Sequence, residues 1–310
     1  MTLARRSMAL SNRTVMIFMA VSTVMLGCAG FHQGSLPNAP TNATYVRVGN
    51  VKIRYAVAGT GPAVLLLHGY GSSLDIWEAS VLPKLAKTHQ VIAIDMKGFG
   101  FSDRPPGDYT PAAQARIAWA VLDKLGIKDV AIVGHSWGAS VALRMVLQNR
   151  ARVRRVALYS AYVYEAQVPS FFLWARAPGI GETLFGLYYK QRIEDRIALA
   201  YHDQRFVTQA RIDRVERELN RPGAVAAALA TARGQRYKHV QRRYGSIKKP
   251  VLLLWGEQDA VTPIQFGTRL VTQLPDAQLI RYPRCGHLPM VELAAATTRD
   301  LAAFLAKDVK

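Results

Sequence analysis

The chain has 310 residues, half of them hydrophobic, with 40 Lys and Arg against 21 Asp and Glu. This composition excludes a mainly disordered chain, and two cysteines exclude a disulfide scaffold or a four-cysteine zinc site. The net charge of +19 alone fits nucleic acid, an acidic membrane surface or a soluble basic enzyme, so motifs must decide.

Residues 1–13 hold Arg5, Arg6 and Arg13 and no acid, and residues 15–26 (VMIFMAVSTVML) carry no charge. A membrane span needs about twenty apolar residues. The shorter run with a basic flank fits the central part of a secretory signal. It ends in Gly27-Cys28-Ala29. The layout resembles a bacterial lipoprotein signal, in which a small residue precedes the cysteine that is lipidated. The resemblance implies a signal over 1–27, a lipid on Cys28, and an exported protein held at a membrane of the cell envelope. Met25 and Leu26 depart from the family pattern, which has Leu and a small residue there. An uncleaved anchor and an ordinary signal cut near Ala29 are the competing readings, and Arg5-Arg6 alone is poor evidence for a twin-arginine signal. Residues 28–44 are small, polar and rich in Pro and Gly, which predicts a flexible tether.

From residue 45 the pattern alternates between strands and helices. Residues 45–48 and 51–57 predict paired strands around a turn at Gly49-Asn50. Short apolar runs at 63–67, 91–94, 130–133, 153–158 and 251–255 predict strands buried on both faces. Residues 111–125 and 136–148 carry helical patterns. Such alternation implies a parallel sheet covered by helices. It breaks at 161–249, a helix-rich stretch with a strongly amphipathic segment over 203–219, too long for a plain loop. This predicts a helical cap over the carboxyl edge of the sheet. The core is then 45–160 together with 250–310.

Gly134-His135-Ser136-Trp137-Gly138 sits between a predicted strand and a predicted helix, the context a nucleophile elbow requires. The turn is tight enough that the flanking positions need little or no side chain, which Gly134 and Gly138 supply, and it lifts the hydroxyl of Ser136 above the sheet. A serine hydroxyl needs a base. Of seven histidines, position favours His287, after the apolar segment 277–282 and beside Gly286. His68 follows a strand and is expected to shape its loop. His135 lies inside the elbow, its side chain expected to point away from the cleft. The base needs an orienting carboxylate. Asp259, four residues past a buried strand, is the candidate, with Glu257 as its neighbour and competitor. The chain order Ser136, Asp259, His287 suits this elbow. The amides of Trp137 and Tyr70 are the candidate oxyanion donors, Gly69 and Gly71 letting the second approach closely.

With His68-Gly69-Tyr70-Gly71, Asp95-Met96-Lys97-Gly98-Phe99-Gly100-Phe101-Ser102, the elbow, Gly256-Glu257-Gln258-Asp259 and Cys285-Gly286-His287 in place, the chain resembles a capped α/β-hydrolase from about Tyr45 to Ala306. The resemblance implies a mostly parallel eight-stranded sheet with helices on both faces, a helical cap insertion, and no metal or organic cofactor. Lys97 stands where the family usually has Arg. That family includes esterases, lipases, carbon–carbon bond hydrolases, peptidases, perhydrolases, dehalogenases and epoxide hydrolases. The last two resemble each other in using an Asp nucleophile, which Ser136 argues against. Trp137 beside Ser136 also occurs in proline iminopeptidase relatives, but a cap with eight acids and sixteen bases disfavours a cationic substrate.

The expected activity is serine hydrolysis of a small apolar or aryl ester. A carbon–carbon hydrolase or perhydrolase with the same residues is the alternative, and a non-catalytic envelope receptor or scaffold is the reading from another class. The cap aromatics Tyr162, Tyr164, Phe171, Phe172, Trp174, Phe185, Tyr188 and Tyr189 fit an aryl pocket or plain core. Two acid-free basic tracts, 144–155 and 233–249, are read as solvated faces or as attraction to anionic lipid or to an acidic substrate. No motif points to nucleic acid.

Overall fold

The computed structural model describes residues 30–306; the signal-like segment and Cys28 lie outside them. The strands are β1 (Thr44–Val48), β2 (Val51–Ala58), β3 (Ala63–Leu67), β4 (Gln90–Ile94), β5 (Val130–His135), β6 (Val153–Tyr159), β7 (Val251–Gly256) and β8 (Ala277–Tyr282). They form one sheet in the order β1-β2-β4-β3-β5-β6-β7-β8. β1 and β2 run antiparallel to their neighbours and the rest are parallel.

The apolar runs are continuous because both faces are covered. In β3, Leu65 and Leu67 enter one buried cluster while Val64 and Leu66 enter the other. β7 repeats this with Leu253 and Trp255 against Leu252 and Leu254. Short helices α1 (Asp75–Glu78) and α2 (Leu82–Leu85) follow β3, then α3 (Pro111–Lys124) and α4 (Trp137–Gln148). α3 begins where Thr110 accepts the Ala113 amide and Pro111 takes the first turn, a paired start signal. α3 and α4 cover the first cluster, and α1, α2 and the C-terminal helix cover the second.

Between β6 and β7 stand α5 (Ser170–Ala175), α6 (Ile180–Tyr188), α7 (Ile193–Ala200), α8 (Gln209–Leu219) and α9 (Ala224–Gly234). They are referred to below as the cap. The amphipathic stretch expected over 203–219 is divided. Asp203 accepts the Arg205 amide and closes a single 3₁₀ turn, and α8 starts afresh after Thr208. After β7 come α10 (Ile264–Gln273), α11 (Pro289–Glu292) and α12 (Ala294–Leu305).

The described part of the segment expected to be a flexible tether is seated on the body. His32 exchanges two backbone hydrogen bonds with Arg104, at 2.9 and 2.8 Å. Phe31 stacks on Tyr109 with ring centroids 5.9 Å apart, and Leu36 is buried. These backbone and apolar contacts fall within the Pro- and Gly-rich stretch.

Register sets the site. Leu67 pairs with both Ile94 and Gly134, His135 with Tyr159, and Gly256 with Tyr282. The carboxyl ends of the parallel strands are therefore level, and the loops after β3, β5, β7 and β8 meet at one edge.

Candidate active site

Ser136 occupies the turn between β5 and α4 with φ 51° and ψ −118°. A non-glycine residue there is strained. The turn is held by Ser136 N–H donating to Tyr159 O at 2.9 Å, and by the carbonyl of Ser136 accepting from Tyr162 at 3.0 Å. A Cβ on Gly134 would stand 2.7 Å from Gly138 O, and one on Gly138 would strike the carbonyls of Leu67 and His68. Glycine on both sides is thus a steric requirement, as the elbow pattern predicts.

His287 follows β8. Its Nδ1 lies 2.9 Å from Asp259 Oδ2 and 3.1 Å from Oδ1. A carboxylate only accepts, so Nδ1 carries a proton, and in the neutral ring Nε2 then keeps its lone pair. Asp259 also accepts from the Val261 amide at 2.9 Å, the Thr262 amide at 2.7 Å and the Thr262 hydroxyl at 2.7 Å. Burial works against ionisation of Asp259, but the charge and hydrogen bond of His287 and the bonds from Thr262 outweigh it. The carboxyl is held below its ordinary value. Glu257, the competing carboxylate, pairs instead with Arg281 at 3.3 Å. Thr262 is a partner the sequence reading missed.

The loop carrying His287 is pinned from several sides. The amide of His287 donates to Ala200 O in α7 at 2.8 Å, and that of Gly286 to Glu292 at 2.7 Å. The left-handed residue of the loop is Arg284, with φ 53°. Gly286 is needed for clearance, since a Cβ there would meet His202 N at 2.7 Å and Ala200 O at 2.8 Å.

His135 departs from its expected direction. Its ring lies tilted beside that of His287 with centroids 4.9 Å apart, and its Nε2 donates to His287 O at 3.0 Å. It lines the same cavity as Ser136. Burial and the neighbouring His287 push its pKa down to about 3, so it is a neutral support under the His287 loop. His68 shapes its own loop: Nε2 accepts the Met96 amide at 3.0 Å and Nδ1 donates to Gly69 O at 2.7 Å.

The loop after β3 passes over the elbow. A Cβ on Gly69 would stand 2.9 Å from His135 Nδ1 and 3.2 Å from Ser136 Cβ. The amides of Tyr70 and Trp137 have no protein acceptor among the described residues, and the latter opens α4. Two free N–H groups and a helix N-terminus beside a hydroxyl suit a developing negative charge. Lys97 lies aside from this, over the ring of Tyr109 at 4.1 Å.

Ser136 and His287 line a cavity of about 800 Å³ roofed by the cap. The aromatic cluster divides. Tyr162, Phe171, Phe172, Tyr188 and Tyr189 line the cavity, Tyr164 and Phe185 are core, and Trp174 faces outward. Asp75, Arg214 and Glu218 make one end of the cavity polar. Glu218 accepts from Ser73 Oγ at 3.1 Å. Burial raises its pKa from 4.5 to about 7, with Arg221 opposing. The folded chain thus retains a proton the unfolded chain sheds, and stability falls as pH rises through that interval. Glu218→Gln is expected to melt about 2–4 °C above the wild type at pH 8 and level with it at pH 4. Equal melting at pH 8 would show that ionised Glu218 is adequately solvated.

Residues 62–293 match the family model of the alpha/beta hydrolase fold, and the chain belongs to that family. It is 32% identical over 270 residues to 2-hydroxy-6-oxo-6-phenylhexa-2,4-dienoate hydrolase of Burkholderia cepacia, covering 83% of this chain and 92% of that one. It is 30% identical over 274 residues to 2-hydroxy-6-oxononadienedioate/2-hydroxy-6-oxononatrienedioate hydrolase of Cupriavidus pinatubonensis, covering 84% and 93%. The crystal structure of a meta-cleavage product hydrolase superposes with a TM-score of 0.73 at 25% identity, over 84% of this chain and 97% of that one. The chain is a hydrolase.

Proposed function

We propose that the chain is a serine hydrolase that cleaves small carboxylic esters through an acyl-enzyme on Ser136. The observation that carries this is the chain of contacts from Asp259 to His287, with His287 and Ser136 lining one cavity. The Ser136 oxygen attacks the carbonyl carbon while its proton passes to His287 Nε2. Asp259 holds the imidazole and steadies its positive charge. The amides of Tyr70 and Trp137 receive the carbonyl oxygen as it becomes negative. His287 returns the proton to the leaving alcohol, and the same steps with water release the acid. The aromatic lining favours an apolar or aryl acyl group.

The second reading is a carbon–carbon bond hydrolase, and what favours it is the names of the relatives, hydrolases of 2-hydroxy-6-oxo-6-phenylhexa-2,4-dienoate and of 2-hydroxy-6-oxononadienedioate. The same residues serve it if the leaving group is a stabilised carbanion. Steady-state kcat/KM for p-nitrophenyl esters and for 2-hydroxy-6-oxo-6-phenylhexa-2,4-dienoate separates the two. Turnover of the dienoate with none of the esters would rule out the first reading.

The three-part layout of the first 28 residues supports a further part of the reading: export, and a lipid anchor at Cys28 in the cell envelope. Cys28→Ala is expected to move the protein from the membrane to the soluble fraction without detergent. Retention on the membrane would refute the lipid anchor.

A further inference from the structure

The chain has five tryptophans. Trp77, Trp119, Trp137 and Trp255 are buried, between 0 and 7% exposed, while Trp174 is 63% exposed. It does not stand alone. Leu173 beside it in α5, and Ile180, Leu187 and Tyr188 in α6, are all exposed. These residues account for most of the large apolar side chains that the described surface leaves in water. The patch also reaches the site, because Tyr188, 58% exposed, and Leu199, 55% exposed, line the cavity that holds Ser136. An apolar face of this kind, joined to an apolar cleft, marks an interaction surface.

Three observations name its occupant. First, the only acid over residues 170–192 is Glu182, and it is neutralised by Arg233 at 2.7 Å. Among the described residues Lys190, just past α6, bonds only the neutral amide of Asn220, and the cap as a whole has sixteen bases to eight acids. An anionic surface is therefore attracted and a basic one repelled. Second, the N-terminal segment comes up on this side: Phe31 and Glu182 of α6 line one small cavity. Third, Cys28, the proposed lipid site, is separated from Gly30 by one residue, so the proposed anchor would join the body on the side where Phe31 meets α6. Short helices with Trp and Leu on one face and basic residues beside them suit the headgroup boundary of a bilayer.

We propose that the outer face of α5 and α6 lies in the surface of an anionic phospholipid bilayer. The cavity mouth then opens toward the lipid, and an apolar substrate passes along Tyr188 and Leu199 without crossing bulk water. The inference does not depend on which bond is cleaved.

Trp174 is its own reporter. The full chain is placed on vesicles of phosphatidylcholine and phosphatidylglycerol whose acyl chains carry bromine, which quenches tryptophan only on contact. The expected result is quenching of one emission component that disappears in Trp174→Phe, while the buried tryptophans stay bright. An anchor at the N-terminus would hold the protein on the vesicle in either case, so the measurement reads which face meets the lipid. Ile180→Glu and Leu187→Glu, neither of which lines the cavity, are expected to reduce the quenching and leave hydrolysis of a water-soluble substrate unchanged. Quenching that is absent, or identical in Trp174→Phe, would overturn the proposal. So would a dimer in sedimentation that Ile180→Glu dissolves, since a second copy would then own the face.

Discussion

Ser136→Ala is expected to lower turnover by about 10⁶-fold, with an unchanged melting temperature. The size follows from the order of events proposed above. Without the oxygen there is no acyl-enzyme, and His287 and Asp259 have no proton to move. What remains is direct attack by water on a carbonyl still held by the amides of Tyr70 and Trp137, a residual acceleration of about 10³-fold over solution. The fold is spared because alanine at φ 51° is little more strained than serine, and the backbone bonds of the turn to Tyr159 and Tyr162 do not involve the hydroxyl. Asp259→Asn tests the same arrangement from its other end. An amide in that place also meets the Thr262 amide and hydroxyl, so a loss of about 10⁴-fold is expected. Equal ester hydrolysis by the wild type and Ser136→Ala would remove Ser136 from the chemistry and revive the non-catalytic reading.

Asp95→Ala is expected to be the most damaging change away from Ser136. Asp95 is fully buried. Its Oδ1 accepts the Leu74 amide at 2.7 Å, and its Oδ2 accepts the Phe101 amide at 2.7 Å and Arg54 at 3.4 Å. The hydroxyl of Ser102 donates to its carbonyl at 2.6 Å. One carboxylate thus ties the segment after Tyr70 to the loop after β4. Gly100, at φ 53°, must be glycine because a Cβ there would collide with that carboxylate. Alanine leaves two buried amides unpaired and strips Arg54 of one of its two acids. The expected cost is about 3–5 kcal/mol, read as a lower urea midpoint. Asp95→Asn retains the shape and one acceptor and should fall between. A midpoint for Asp95→Ala equal to the wild type would mean that water replaces the carboxylate.

These two residues show what the sequence alone reveals. Both stand in motifs that can be read by eye, because a strand end followed by a tight turn leaves a local record in glycines and apolar runs. The ends of β3 and β8 fall where the apolar pattern puts them, and Asp259 follows from its distance past β7. His135 does not follow. It is the last residue of β5, and its ring lies under a loop 152 positions away, a relation no local pattern encodes. Thr262 escapes notice for a different reason, since a threonine three residues after an acid is common in turns. The role of Gly286 is legible only once α7 is known to lie against it.

The pairing of His32 with Arg104 has a mechanical consequence. A pull on the chain from its N-terminal side would load the Phe31–Tyr109 contact and those two backbone bonds. Arg104 passes the load to the carbonyls of Gly100 and Ser102 through bonds of 2.6 and 2.9 Å. Asp103 carries a share into β2, its amide donating to Lys52 O at 2.9 Å and its carboxylate accepting from the Lys52 amide at 2.8 Å. The path ends in the sheet without entering the elbow or the His287 loop. A protein tethered at that end would yield at its clasp before its nucleophile felt any tension.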